Sequence, residues 1–590
     1  MPTPSESSAS PATPFWQLFA IFILVGACVF LLDGAPGASF AADVDDIARK
    51  LQIMDLLRDG QWHDPTWPFL AMPEPYYSPW SRLVDAPYVL VTWALSPFTG
   101  PETAFGLSRL IVPVVWFGVY AMLAVRIMQR LTPSGLSALS VGIAALCAFL
   151  AIAEFHPGRI DHHNVQLVLM LALCLGLVSP HRHAGVLIGL ASFLSVAIGL
   201  ECTPFVAIAI VGLGLVAAWT GEANHVRRLT ATGLTLSIIT LPLSLMLIGS
   251  AAAGQVQCDA LSAPWILALS AGGLVIALAP RLWRLDAFAH PAARLASLAV
   301  PGALLLALLW VAFPLCHHGP LYMIDPIAKE YWFSRIFQEH NILEHYAEGG
   351  LVPVIFAPVA FIGILLATWL WARPQTAGSM LVFVMAVGAL CLTLVQGRNF
   401  RFAAALAPLF LPAVIQAYAR VESLRTRLIP VIAPLIVSLA IIGLIKRTET
   451  QLDPITFMEG DACVDADISV LDTAPPGIVM APSGLSFRLA EHAEASGRLH
   501  PVASLPFHRA APSISKVART FILTDPDQRR EALAPFDYVA VCRINVDLDR
   551  SVAPIYAALV SGEDWPGLVD VETDTASRFR LLRIDHEALR

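Results

Sequence analysis

Charge is scarce in this chain. Only 14% of its 590 residues are Asp, Glu, Lys or Arg, against about 25% in an ordinary soluble domain. That shortage excludes a disordered chain, which stays unfolded through charge and polarity, and speaks against a simple soluble enzyme. Basic residues are the scarcer sign, 37 against 45 acids for a formal net charge of −8. A surface able to neutralise a phosphate backbone is therefore missing, and no nucleic-acid partner is expected. Nine cysteines are too few for a disulfide-stapled scaffold. No sequence repeat of fixed period is present. The first fourteen residues contain no Lys or Arg. What is abundant is hydrocarbon, with 56% hydrophobic residues and a mean hydropathy of +0.67. The chain reads as a polytopic α-helical membrane protein.

A helix needs about 20 apolar residues to cross the hydrocarbon core. Candidate spans cover 15–32, 104–128, 135–153, 165–178, 185–200, 205–219, 229–249, 264–278, 295–313, 351–371, 380–395, 403–419 and 428–445. These are about thirteen, several of them short enough to be tilted or re-entrant. Alternate loops carry Arg126 with Arg130, Arg182, Arg227 with Arg228, Arg281 with Arg284 and Arg294, Arg373, and Arg420 with Arg425 and Arg427. By the positive-inside bias these loops are cytoplasmic. The others face outward, as does the tail after an odd number of spans. The first apolar run reads as an uncleaved anchor. It is long for a signal peptide and lacks a positive start.

The expected organisation is a transmembrane domain over 1–447, with outward loops at 33–103 and 314–350, and an outward α/β domain over 448–590. In the tail, Ile478-Val-Met-Ala481, Phe521-Ile-Leu523 and Tyr538-Val-Ala-Val541 read as strands and Leu485 to Ala493 as a helix. Cys28, Cys147, Cys174 and Cys391 fall in spans. Cys463 and Cys542 in the tail, and Cys258 and Cys316 in adjacent outward loops, are either two disulfides or buried thiols.

The chemistry-bearing residues gather in the outward segments. Asp43, Asp45 and Asp46 follow the first span and precede Ile47, Leu51, Met54 and Leu57 at helical spacing. One Asp would serve as a helix cap. Three in four residues concentrate negative charge, as a cation site would. A second short turn reads Glu154-Phe-His-Pro-Gly-Arg-Ile-Asp-His-His-Asn164. Asp161 and His163 are two apart, so in an extended or turn segment both point the same way. A carboxylate and an imidazole make half a divalent-cation site, with His162 and Arg159 beside them. Helix capping by Asp161 is the alternative.

The order of these features resembles the GT-C superfamily of membrane glycosyltransferases. Gly158-Arg-Ile-Asp-His-His163 is most similar to the second-loop motif of archaeal oligosaccharyltransferases. The resemblance implies a first-loop Asp (Asp45, or Asp43 or Asp46), Asp161 and His163 holding Mg²⁺ or Mn²⁺. It further implies a donor sugar on a polyprenyl phosphate or diphosphate, and inversion at the sugar carbon. The first-loop Asp and Asp161 would be the catalytic acids. The tail lacks that family's Trp-Trp-Asp-Tyr-Gly sequence, so the acceptor stays open among protein, lipid and glycan.

Further candidates are less sharply marked. Arg398 and Arg401, in an outward turn against the charge bias, suit a lipid phosphate. Arg82 suits a phosphate or pairs with Asp85. By position in the resembled family, Asp325 or Glu330 of the later outward loop would touch the cation and acceptor. Glu201 at a span end is a functional acid or a snorkelling carboxylate. His508 and Arg509 read as a solvated basic loop or as an acceptor-facing pair. The enzyme is expected in a bacterial inner membrane with an outward active site. A transporter or lipid flippase is the competing reading, since intramembrane acids and histidines also mark ion paths. Against it, no paired Gly/Pro-broken half-helices are visible. A sensor or scaffold using the tail as a binding module is a third.

Overall fold

The computed structural model describes residues 13–33, 44–72, 74–347, 352–418, 420–444, 463–464, 466–544, 548, 550–571 and 577–589. Two compact units emerge. The first holds Leu83–Pro314 and Asn341–Lys446 together with the N-terminal helix; the second holds Asp43–Arg82, Leu315–His340 and Arg447–Arg590.

The first unit is helical throughout. Among the described residues, nine helices are long and apolar enough to span a membrane. A bent pair, Ala138–Cys147 with Phe149–Phe155, can be one more, and three shorter apolar helices accompany them. Together these account for all thirteen apolar runs, and the protein is an integral membrane protein. Burial separates inner from outer helices. In His163–Val178 nearly every side chain is buried. In Pro291–Ala312 none is, although its sequence is as apolar. A helix hydrophobic all round and unburied by protein is one whose surroundings are lipid.

Between lipid-embedded helices there is no water to expel, so close packing and hydrogen bonds hold them. Small residues provide the approach. A Cβ on Gly233 would lie 2.5 Å from Gly273 O, and one on Gly185 would lie 2.4 Å from Arg228 O. Helix Ala223–Gly254 is thus gripped on one side by Ala184–Ile198 and on the other by Ala263–Leu282. Thr232 Oγ1 donates to Gly185 O at 3.1 Å, and Ser237 Oγ to Ser270 O at 3.2 Å.

Three interruptions matter for function. The bent pair turns by 68° at Ala148. A 3₁₀ turn, Leu200–Cys202, separates Ala184–Ile198 from Thr203–Thr220, and another, Gly397–Asn399, precedes Phe400–Leu406. One helix was not expected from the sequence. Asp85–Thr99 buries Asp85, Tyr88, Val89 and Thr92 on one face and exposes Leu90, Trp93 and Phe98.

The second unit is built on a four-stranded sheet of order β1-β2-β4-β3: β1 Val479–Met480, β2 Tyr538–Cys542, β3 Leu568–Asp570 and β4 Phe579–Ile584. β1 pairs parallel with β2, and β4 runs antiparallel to both β2 and β3. β2 is buried at every residue, as its unbroken apolar run requires of a strand covered on both faces. Phe521 corrects the sequence reading. It lies in helix Ala511–Ile522, not in a strand. Ile514, Val517, Ala518 and Phe521 are buried on one side of that helix, a 3.6-residue period that a three-residue apolar run hides. Cys463 and Cys542 form a disulfide with Cα atoms 5.9 Å apart.

The first-loop segment is part of this unit. Ala71 N–H donates to Val502 O at 2.8 Å, and Val502 N–H to Phe69 O at 3.0 Å. Trp67 meets the rings of Phe69, Tyr76, Trp80 and Phe507 within 5.7 Å. Helix Val44–Asp59 is tied by Lys50 to Glu491 at 2.6 Å and by Arg58 to Glu494 at 2.7 Å.

Candidate cation and phosphate site

A single backbone conformation starts the site. Gly158 has φ +99°, a region L-residues avoid because Cβ crowds the carbonyl. Its N–H donates to Arg109 O at 3.0 Å. The chain turns there and enters helix His163–Val178 two residues after Asp161. His162 already has helical dihedrals, φ −75° and ψ −13°. Asp161 and His163 therefore converge through a turn into a helix rather than through an extended segment. His162, the residue before this helix, makes no capping hydrogen bond with its side chain.

Asp161, His162 and His163 are each more than nine-tenths buried. One oxygen of Asp161 accepts the His162 backbone N–H at 2.5 Å and contacts His162 Nδ1. Its other oxygen lies 3.0 Å from His163 Nε2. On the opposite ring edge, His163 Nδ1 faces Gln166 Oε1 at 3.1 Å and Glu201 Oε2 at 3.4 Å. A carboxylate only accepts, so that edge calls for a proton on Nδ1. The neutral ring then turns its Nε2 lone pair toward Asp161 Oδ2. Two lone-pair atoms 3.0 Å apart in a buried place require positive charge, either a second ring proton or a cation. Burial pushes the Asp161 carboxyl up, but the two imidazoles outweigh it and hold it well below the usual carboxylate range. Burial pulls the His162 imidazole down, and Asp161 more than offsets this, so its value is raised.

One ligand atom from each of Asp161, His162 and His163 lies within 4.8 Å of the others. An oxygen with imidazole nitrogens is a fit donor set for a divalent transition metal.

Around this trio stand three arginines and two more acids. Arg398 Nη2 meets Glu201 Oε1 at 2.6 Å. Arg401 Nη1 lies 3.6 Å from Glu154 Oε1, whose other oxygen meets Arg159 Nη2 at 3.1 Å. Arg401 Nε donates to Arg398 O at 2.9 Å. Arg159, Glu154, Glu201 and Arg398 come from loops or 3₁₀ turns and Arg401 from the first turn of helix Phe400–Leu406, where backbone direction changes and side chains of several helices can reach one place. Seven residues singled out in the sequence thus come together: Arg159, Asp161, His162, His163, Glu201, Arg398 and Arg401. Glu154 and Gln166 complete the set and were not chosen from the sequence. Glu154 carried a signal, an acid at the end of an apolar span. Gln166 stands one helical turn after His163.

The remaining candidates belong to the second unit. Asp45 is half-buried and Asp46 buried, both in the first turn of helix Val44–Asp59. Asp43 lies outside the described residues. Arg82 is buried, with Nε donating to Trp62 O at 3.0 Å and Nη2 to Asp64 O. Asp325 caps the short helix Pro326–Tyr331, accepting from Ile327 N and Ala328 N, and takes the Ser515 hydroxyl at 2.6 Å. Glu330 is exposed. Arg509 Nη1 donates to Tyr77 O at 2.8 Å, and His508 is half-buried.

No family model matches the chain, and no curated protein matches it in sequence. Solved structures do match. The archaeal oligosaccharyltransferase AglB from Archaeoglobus fulgidus, in complex with an inhibitory peptide and a dolichol-phosphate, aligns with a TM-score of 0.62 at 11% identity. That alignment covers 96% of this chain and 74% of AglB. This is the GT-C fold. An A. fulgidus oligosaccharyltransferase tethered to an acceptor peptide containing the NVT sequon gives 0.61 at 12% identity over the same shares. The A. fulgidus enzyme in complex with Zn and sulfate gives 0.56 at 11%, over 95% and 72%. At such identities the likeness is one of fold.

Proposed function

We propose that this chain is a glycosyltransferase of the GT-C type. It moves a sugar or oligosaccharide from a polyprenyl phosphate or diphosphate to an acceptor on the extracytoplasmic side of a bacterial inner membrane. The observation that carries the reading is Asp161 Oδ2 facing His163 Nε2 at 3.0 Å inside a group that also holds Arg398 and Arg401. A cation position and a phosphate position adjoin there. The fold shared with oligosaccharyltransferases supports it.

In this reading Asp161 and His163, with His162 beside them, hold a divalent cation. Imidazole nitrogens suit Mn²⁺ better than Mg²⁺. When bound, the ion supplies Lewis-acid stabilisation of the leaving phosphate. The chain's own part is electrostatic. As the sugar–oxygen bond breaks, negative charge grows on the phosphate, and Arg398 and Arg401 are fixed donors for it. The reaction is an inverting displacement at the sugar carbon. Acceptor choice among protein, lipid and glycan is left to the tail.

The test is sugar transfer by full-length protein in liposomes holding lipid-linked donors. Asp161→Ala and His163→Ala should each lose at least 100-fold in rate while the protein stays folded. Full activity in both variants overturns the assignment. The bend at Ala148, inside one candidate span, favours one competing reading, a lipid transporter or flippase. Movement of a fluorescent polyprenyl phosphate across the bilayer, without any sugar transfer, would establish it instead.

A further inference from the structure

We propose that Glu201 is a positioning residue that joins the cation ligands to the phosphate-binding arginines; the proposal rests on the glycosyltransferase reading. The residue sits in the 3₁₀ turn Leu200–Cys202. Gly199 lets this turn press against the site. A Cβ there would lie 3.3 Å from Gln166 Nε2 and 3.9 Å from His162 Nε2. The turn delivers a carboxylate whose two oxygens serve different partners. Oε1 meets Arg398 Nη2 at 2.6 Å. Oε2 lies 3.4 Å from His163 Nδ1 and 3.7 Å from His162 Nε2.

The Oε2 contact falls on the ring edge opposite Asp161. That is where an outer carboxylate acts on a metal-binding histidine: it takes the proton on one nitrogen, fixes the tautomer and makes the other nitrogen a stronger ligand. The Oε1 contact does the same kind of work for the arginine. Arg398 in turn accepts at its carbonyl from Arg401 Nε. One acid therefore orients a cation ligand through one oxygen and a phosphate donor through the other. The simpler reading makes Glu201 a counter-ion to Arg398 alone. That role would leave cation affinity untouched, so affinity separates the two.

The experiment is Mn²⁺ titration of full-length protein in nanodiscs, followed by calorimetry and by the Mn²⁺ electron paramagnetic resonance signal. Glu201→Gln keeps the shape of the side chain and removes its charge, and should weaken Mn²⁺ binding by about 10- to 100-fold. Glu201→Asp should recover part of that loss. Asp161→Ala should abolish binding. If Glu201→Gln binds Mn²⁺ as tightly as the parent while Asp161→Ala does not bind, Glu201 is a counter-ion only and the proposal fails, with the functional reading intact. If the parent protein binds no Mn²⁺, the cation reading itself falls and the proposal with it.

Discussion

Glu154 stands between two arginines, its Oε1 3.6 Å from Arg401 Nη1 and its Oε2 3.1 Å from Arg159 Nη2. All three side chains are buried. The acid therefore compensates two cations brought to one place in a low-dielectric interior. Removing one partner of a buried ion pair costs about 3–5 kcal/mol, because the other charge is left desolvated. Glu154→Ala should lower the unfolding free energy in detergent by an amount in that range, and Glu154→Gln by less. A Glu154→Ala protein as stable as its parent would show that the two arginines are answered by other groups.

Gly158 isolates a conformational cost. No heavy atom lies within 4 Å of a Cβ built there, yet φ is +99°. Gly158→Ala thus meets no clash and pays only for the left-handed backbone, about 1–2 kcal/mol. Gly158→Asn should cost less, since Asn tolerates this region. Because the next residues are Arg159, Asp161, His162 and His163, the Ala variant should also lose Mn²⁺ affinity. Chemical denaturation and Mn²⁺ titration of the two variants check this order. Equal losses for Ala and Asn would mean that φ is not what Gly158 supplies.

Much of the fold was legible because the relevant signals are local. Thirteen apolar runs became helices, since length and composition alone decide whether a segment suits lipid. Helix Asp85–Thr99 escaped because it is short and Pro97 interrupts it. Phe521 was misplaced because a three-residue apolar run carries no period. In the site, Asp161, His162 and His163 were readable as neighbours in the chain. The pairing of Glu201 with Arg398 joins residues almost 200 positions apart through a 3₁₀ turn at each end. Neither turn has a sequence signature strong enough to foretell direction. The same holds for Trp67 and Phe507, whose rings meet at 5.3 Å although nothing in either segment names the other.

The Cys463–Cys542 disulfide closes a sequence separation of 79 residues. A loop of that length has much freedom to lose, and removing a native disulfide of this kind typically costs about 2–5 kcal/mol. The doubly substituted Cys463→Ser, Cys542→Ser protein should therefore show earlier proteolysis between β1 and β2 under limited trypsin digestion. Trp67→Ala acts on the same unit by another route. The ring is 2% exposed and its Nε1 donates to Gln52 Oε1 at 3.1 Å, so truncation leaves a large cavity and removes that hydrogen bond, about 3–5 kcal/mol. Its cleavage should move to the first-loop segment. Unchanged digestion patterns would place the strength of this unit elsewhere.

Gly273 tests how the membrane helices are held. A Cβ on it would lie 2.9 Å from Gly233 O, from Leu236 Cβ and from Ser237 N, so both backbones stand at the limit of approach. Without a hydrophobic force between lipid-embedded helices, that approach is itself the attraction, through dispersion and short polar contacts. Gly273→Leu forces helix Ala263–Leu282 away from Ala223–Gly254 and breaks the Ser237–Ser270 hydrogen bond, whose length is 3.2 Å. Overpacking of this kind costs about 1–3 kcal/mol, and here the lost contacts add to it. Gly273→Ala also forces the facing backbone to shift, but should cost less than Leu because it adds a single methyl group. Thermal unfolding in detergent should rank the parent above Ala and Ala above Leu. A Leu variant as stable as the parent would show that lipid, rather than glycine contact, keeps these helices together.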